Sequence, residues 1–390
     1  MIERVENPGK ELVNVAKTFG DLLKSRFKKD PSFYFFSPDE TTSNRLSAVY
    51  ESESRAWNLR TEDWDLPESA DGRIIELLSE NALFAAMIGH LSNGEQAMMA
   101  SYESFFSVIT SQILQQLKFY KQLDAVSWQK PLPAVNLLST SVCWRQDHNG
   151  FSHQSPALIS ALLSVPSKKA NCLFPIDDTS AEETFSFMLA QKNVVNLTTF
   201  DKNDNPRWID SNHARFQFEN GGTSIFGFAS DDNPELVLTA AGDLATREML
   251  LARDLIKQDA PELRLRFVGI NSLSYRKIGT VDNPLSQETF NAYFTENLPI
   301  LASFHGFPDA LKEILSAYAN SDRLSIHGFL EEGTTTTPFE MLSMNKNSRF
   351  DLAAAIAEKI NRPDLAEKYL KLIEENRDYV RLFGKDKIVL

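Results

Sequence analysis

Cysteine is scarce, with only Cys143 and Cys172 in 390 residues. They form no CxxC pair, so the sequence offers neither a disulfide framework nor a thiolate metal site, and a reduced compartment is expected. A thiol nucleophile needs a partnered, low-pKa setting that no motif supplies, and both residues read as small buried groups. Positive charge is also short. Forty Lys and Arg stand against 53 Asp and Glu, a formal net charge of −13 that argues against nucleic-acid or anionic-membrane binding. Any phosphate must be held by a few placed cations. No apolar run approaches the roughly 18–20 residues needed to span a bilayer. The N-terminal MIERVENPGKEL has no signal-peptide pattern, so a cytoplasmic location is the expectation. GxGxxG, Walker A, HExxH and GxSxG motifs are missing, which removes support for nucleotide, zinc-protease and α/β-hydrolase readings. Residues 201–205 (DKNDN) open like a calcium loop, but Pro206 and Asn212 stand where glycine and glutamate are required. No metal site is assigned.

What is present fits two domains with substantial cores: 42% hydrophobic and 11% aromatic residues, with the 27 phenylalanines assigned to the interior. An amphipathic helix is expected over 12–27, where Leu12, Val15, Ala16, Phe19, Leu22, Leu23 and Phe27 recur at helical spacing. Strands are expected at 33–36, 73–78, 134–142, 172–176 and 194–199. Helices are expected at 102–123, from 156, and at 181–190. A polar stretch over 201–220 marks a boundary. Strands at 235–241, 263–270, 299–305 and 324–330 then alternate with helices from 246, at 286–294 and at 309–319, before two closing helices. This alternation predicts an α/β chain of two domains, each a mostly parallel sheet covered by helices. The expected division is a lead-in helix over 1–31, one domain over 32–211 and a second over 212–390.

One loop stands out as a candidate site. Residues 144–153 read WRQDHNGFSH, placing two of the chain's six histidines five residues apart among groups that donate, accept and transfer protons near neutral pH. The run joins a strand to a helix, and ligands of open parallel sheets bind outside the carboxyl ends of strands. A solvated turn is the bland alternative. Residues 38–46 (PDETTSNRL) follow a strand, where Ser43, Asn44 and Arg45 suit a phosphate or form a plain helix start with a surface arginine. Glu80 closes the pattern GRIIELLSE and is either a desolvated acid or base or a structural carboxylate. Residues 331–338 (EEGTTTTP) cap a helix or contact a ligand, with capping preferred.

Together FSPDETTSNRL, LLSE, SYESFF, WRQDHNGFSH and EEGTTTTPF resemble the thiamine-diphosphate-dependent phosphoketolases acting on xylulose 5-phosphate or fructose 6-phosphate. AAGDLATRE at 240–248 and SFHGFPD at 303–309 match as well, in order along essentially the whole chain. The resemblance implies two transketolase-like domains, pyrimidine-binding and C-terminal. The family's first domain, whose GDG motif holds magnesium and the cofactor diphosphate, has no counterpart here. Thiamine diphosphate is therefore expected to meet this chain on its pyrimidine side only.

By that resemblance Glu80 bonds the aminopyrimidine, and Tyr102 and Phe105 provide its aromatic surroundings. Gln146, His148, Asn149 and His153 line the substrate channel and assist proton transfer and dehydration. Ser43, Asn44, Arg45 and Lys202, with His148, are the expected groups around phosphate. The implied partners are a sugar phosphate, inorganic phosphate and a separate diphosphate-binding polypeptide, within an oligomer. The implied activity is a carbon–carbon lyase making acetyl phosphate, silent in the isolated chain. The family's SEH and GW become SENALFAA, its TGRHG-like turn becomes LSNGEQ, and 121–130 (KQLDAVSWQK) lacks arginine, with Asp124 expected to repel phosphate. Those departures favour the alternative, a non-catalytic paralogue or truncated product that binds a partner.

Overall fold

The computed structural model describes residues 4–388 apart from Asp39, Leu66, Asp147, His148 and Thr334. Two compact units emerge, one comprising the chain up to Val142 with Val165–Ala214, the other Cys143–Ser164 with Arg215–Leu390. The division falls inside helix Ser211–Glu219, and the WRQDHNGFSH loop packs with the C-terminal unit, whereas the expected division kept it in the first.

The first unit is built on parallel strands β1 (Tyr34–Ser37), β2 (Ile74–Glu76), β3 (Ala97–Tyr102), β4 (Val135–Thr140), β5 (Ala170–Leu173) and β6 (Val195–Thr199). Their order is β5-β6-β4-β3-β1-β2, with the short strands Arg55–Ala56 and Glu68–Ser69 beyond β2. β4, β5 and β6 are buried along their whole length, as their Val- and Leu-containing sequences require of a sheet covered on both faces. Register across them is marked by a buried amide ladder. Asn171 donates to Asn196 (2.9 Å) and Asn196 to Asn136 (2.8 Å), satisfying side chains that would otherwise be stranded.

Helix α1 (Val15–Lys29) begins later than expected because Leu12–Val13 pairs as a strand with Asn205–Pro206, and Asn14 caps the helix by accepting from Lys17 N–H (3.0 Å). Val15, Ala16, Phe19, Leu23 and Phe27 are buried in the first unit, with Phe19 stacked on Phe200 at 4.6 Å. Two expectations around the candidate site shift. The helix expected from 102 is α3 (Thr110–Leu123), and Tyr102 instead ends strand β3. Glu80 does not close a strand; it is the first residue of α2 (Glu80–Ser92), whose N-cap Ser79 accepts from Ala82 N–H (3.3 Å). Helix α4 (Asp178–Ala190) covers the sheet near α1.

The second unit orders β7 (Thr223–Ile225), β8 (Leu236–Ala241), β9 (Leu265–Ile270), β10 (Ile300–Phe304) and β11 (Leu324–His327) as β7-β9-β8-β10-β11. Only β7 runs antiparallel among the described pairings of this sheet. α5 (Asp243–Asp259) follows β8, and three closing helices, one more than expected, are α6 (Pro338–Met344), α7 (Arg349–Lys359) and α8 (Pro363–Phe383). Inside the AAGDLATRE segment, fully buried Glu248 takes both prongs of the Arg349 guanidinium (2.9 and 2.7 Å) and its backbone N–H (2.8 Å), fastening α5 to α7. Among the described residues no helix is long and apolar enough to cross a membrane.

Candidate active-site residues

In the first unit the chain leaves β1, runs outward to β2 and returns to β3 on the other side of β1. The crevice at such a reversal, outside the carboxyl ends of the strands, is where open α/β sheets bind ligands. The residues there are those of the turn after β1, of α2 after β2, and of Tyr102 at the end of β3. Tyr102 organises them. Its hydroxyl donates to Ser43 Oγ (3.1 Å), its ring lies parallel to Phe105 (centroids 5.7 Å apart, 7° between planes), and Lys202 Nζ sits 4.8 Å from its centroid. That last contact adds a cation over an aromatic face, worth on the order of 0.5–1 kcal/mol at an exposed site.

Sequence reasoning passed over Glu40. Its carboxylate accepts the backbone N–H of Tyr102 (3.0 Å) and lies 3.4 Å from Ser101 Oγ, tying the turn after β1 to the end of β3. Burial, helped by the charge of Glu80, lifts its pKa from 4.5 to about 7, against the Tyr102 N–H, Ser101 and Lys202, which favour the anion. The folded protein therefore keeps a proton on Glu40 that the unfolded chain has lost above pH 4.5. That stabilisation is fully present below about pH 4.5 and is lost as pH rises to about 7. The expected loss is on the order of 3 kcal/mol. Urea denaturation at pH 5 and pH 8 should show Glu40→Gln gaining stability over wild type at pH 8 but not at pH 5; an unchanged difference would refute the assignment.

Polar capacity is left unused where α2 meets the segment after β3. Gln112 Nε2 donates to Asn81 O (3.2 Å), while Gln112 Oε1, Ser104 Oγ and Ser107 Oγ are buried with no hydrogen-bond partner among the described residues. Other sequence candidates part company. Asn44 is fully buried and accepts from Thr140 Oγ1 (2.6 Å) and Ser141 Oγ (2.9 Å), which braces the turn, and its Nδ2 is left without a partner among the described residues. Arg45, at φ +64°, lines a separate groove with Lys17, Asp21 and Glu51 and is not gathered with Ser43 and Lys202. Asp124 is bound by Lys169 (2.5 Å) and Asn193 (3.3 Å), and the Lys169 bond holds its pKa below the usual carboxylate range; its charge is matched locally rather than left to repel an anion.

In the second unit the WRQDHNGFSH loop rests on Trp144. The buried indole N–H donates to His305 Nδ1 (2.9 Å), and the ring meets Phe329 edge-on (5.3 Å, 86°). Indole nitrogen only donates, so a neutral His305 carries its proton on Nε2. His305 follows β10, its N–H donates to Ala241 O (2.9 Å), and a Cβ on Gly242 would come 2.5 Å from its Cβ. Glycine at 242 is thus required by close approach. Gln146 is fully buried, accepts from Asn149 Nδ2 (3.2 Å) through Oε1, and leaves Nε2 without a partner among the described residues. His153 is half-buried with Nδ1 2.9 Å from Ser152 Oγ. His148 lies outside the described residues. Gly150 adopts φ 76° and ψ −172°, a region essentially restricted to glycine, and its missing Cβ would fall 2.8 Å from Thr335 Oγ1. Gly150→Ala should cost about 1–3 kcal/mol in chemical denaturation; no measurable loss would show that the loop relaxes freely.

The fold is of the transketolase type, in two α/β units. A transketolase from Leishmania mexicana superposes with a TM-score of 0.65 at 15% identity over 94% of this chain and 47% of that one. A structure titled "Split gene transketolase, inactive beta4 tetramer" gives 0.61 at 14% identity, over 90% of this chain and 99% of that one. The family described as D-xylulose 5-phosphate/D-fructose 6-phosphate phosphoketolase matches residues 15–191, and its C-terminal domain matches 202–389. Probable phosphoketolases of Brucella abortus and Pseudomonas putida are 33% and 34% identical, over 98% and 97% of this chain but 50% and 49% of their own lengths. The chain belongs to the phosphoketolase family, and it spans about half the length of these relatives.

Membership implies thiamine diphosphate as cofactor. An aminopyrimidine needs hydrogen-bond acceptors for its amino group, a carboxylate for a ring nitrogen and an aromatic wall. Glu80, the orphaned Gln112 Oε1 and the Tyr102–Phe105 pair are groups of that kind, so the residues present fit the pyrimidine end.

Proposed function

We propose that this chain is the pyrimidine-side half of a phosphoketolase, working with a separate polypeptide that binds magnesium and the cofactor diphosphate. The observation that carries this reading is the assembly of Tyr102, Phe105, Ser43 and Lys202 around the sheet reversal, with Glu80 near enough for its charge to act on Glu40, in a chain matched along both family segments. When bound, the cofactor supplies a carbon nucleophile for cleavage of xylulose 5-phosphate or fructose 6-phosphate, and inorganic phosphate takes the acetyl unit. Glu80 holds or moves a proton at the pyrimidine nitrogen. Ser43 and Lys202 hold phosphate, with Arg45 at the outer side of the same turn. Gln146, His148, Asn149 and His153 serve proton transfer and dehydration of the two-carbon unit. The likeness to a split-gene transketolase supports a partner polypeptide, and a chain with two buried cysteines and no CxxC pair suits a cytoplasmic setting.

The second reading is a non-catalytic paralogue. It is favoured by the LSNGEQ turn, whose Gln96 accepts from Arg26 (2.9 Å) and donates to Leu189 O (2.6 Å), spending its polarity inside the fold. Reconstitution separates the two. Mixed with a diphosphate-binding domain of the family, magnesium and cofactor, the chain should make acetyl phosphate from either sugar phosphate. A mixture that binds cofactor but yields no product would leave the non-catalytic reading standing.

A further inference from the structure

The histidine loop and the threonine loop 331–337 meet where Gly150 passes Thr335, and both ends of the threonine loop are pinned. At its start, buried Asn345 accepts through Oδ1 from the N–H groups of Leu330 (2.7 Å) and Glu332 (3.4 Å), and its Nδ2 donates to Met341 O (2.9 Å). Gly333, at φ 129°, passes so near Met341 that a Cβ would lie 2.5 Å from its sulfur. At its end, Thr337 precedes α6, a helix whose N-cap makes no side-chain bond of its own. The missing cap comes from elsewhere. Asp386 accepts Thr337 Oγ1–H on Oδ1 (2.6 Å) and Phe339 N–H on Oδ2 (2.9 Å), satisfying one of the donors every helix start leaves orphaned.

Asp386 is itself held. α8 ends at Gly384, in the left-handed conformation that reverses the chain, with Gly384 N–H donating to Val380 O (2.8 Å). Buried Asn376 of α8 then donates to Asp386 Oδ1 (3.1 Å) and accepts from Lys387 N–H (2.9 Å) and Ile388 N–H (3.3 Å). Segments near a chain end stay ordered when tied down in this way. The bonds run without a gap from α8 through Asp386 to Thr337, and the threonine loop runs on to its contact with Gly150. We infer that Asp386 is a positioning residue: by capping α6 and holding Thr337 it sets the threonine loop against Gly150 and so fixes the histidine loop. This assignment of a task to the histidine loop rests on the phosphoketolase reading, whereas the positioning itself does not.

The test is amide hydrogen exchange by mass spectrometry on the full chain. Asp386→Ala and Thr337→Val should each speed exchange in 330–337 and in 149–154 by about tenfold or more, leaving β8, β9 and β10 unchanged. Thr337→Ser, which restores the hydroxyl, should behave like wild type. Faster exchange confined to 337–344 would make Asp386 a cap for α6 and nothing more, and a uniform rise across the unit would make it a general stabiliser; either overturns the inference. In the reconstituted mixture Asp386→Ala should lower kcat about tenfold with KM for the sugar phosphate nearly unchanged; an unchanged kcat beside coupled exchange would overturn the task given to the histidine loop. If the wild-type mixture makes no product, the functional reading fails while the exchange experiment still decides the positioning.

Discussion

Glu80→Gln should lower acetyl phosphate production in the reconstituted mixture by about 10²–10⁴-fold, the range expected when a positioned proton-transfer group is lost. The substitution keeps size and one acceptor oxygen, so the wall formed by Tyr102 and Phe105 is untouched. It removes the ability to hold a proton. Glu80 is the first residue of a helix capped by Ser79, a placement that fixes its backbone and sets its carboxylate at the positive end of the helix. A purely structural Glu80 would tolerate glutamine, and product formation within about twofold of wild type would remove it from the proposed chemistry.

Arg349→Met should destabilise the C-terminal unit by about 3–5 kcal/mol, because it leaves a fully buried carboxylate without its main partner. Glu248 is completely enclosed and accepts three bonds from Arg349, while Arg247 Nε stands 3.8 Å away. The double variant with Glu248→Gln should recover much of the loss, since the stranded charge is gone. Urea denaturation of the two single variants and the double gives the coupling directly. A cost below about 1 kcal/mol for Arg349→Met would place this pair with ordinary surface ion pairs.

Much of the sheet framework is visible in the sequence because its strands are short apolar or β-branched runs between turn residues: VNLLST, VNLTT and LRFVGI each form a strand near its expected place. AMMASY does not announce itself. Alanine, methionine and serine carry little β preference, and the run is a strand because β1 and β4 flank it. The same override turned Leu12 and Val13 from a helix into a strand paired with Pro206 and Asn205, 194 and 192 residues away.

The candidate site divides along the same line. Residue type pointed to Ser43, Asn44, Arg45, Glu80 and the WRQDHNGFSH loop, whereas Tyr102, Phe105 and Lys202 came only from the family resemblance. Type alone could not separate Ser43, which meets the Tyr102 hydroxyl, from Asn44 one residue later, which is sealed against Thr140 and Ser141. Glu40 was invisible because its character comes from burial and from Glu80, brought near by the fold. Trp144 and His305 meet across 161 residues of chain, so no local pattern could couple them.

Whether this chain is the pyrimidine-side half of a two-polypeptide enzyme is decided by a calorimetric titration of thiamine diphosphate, with magnesium present, into this chain alone, into a diphosphate-binding domain of the family alone, and into their equimolar mixture. Tight binding is expected in the mixture only, with a weak or undetectable signal from this chain, which is proposed to offer just the pyrimidine contacts. Binding by this chain alone as tight as that of the mixture would contradict it.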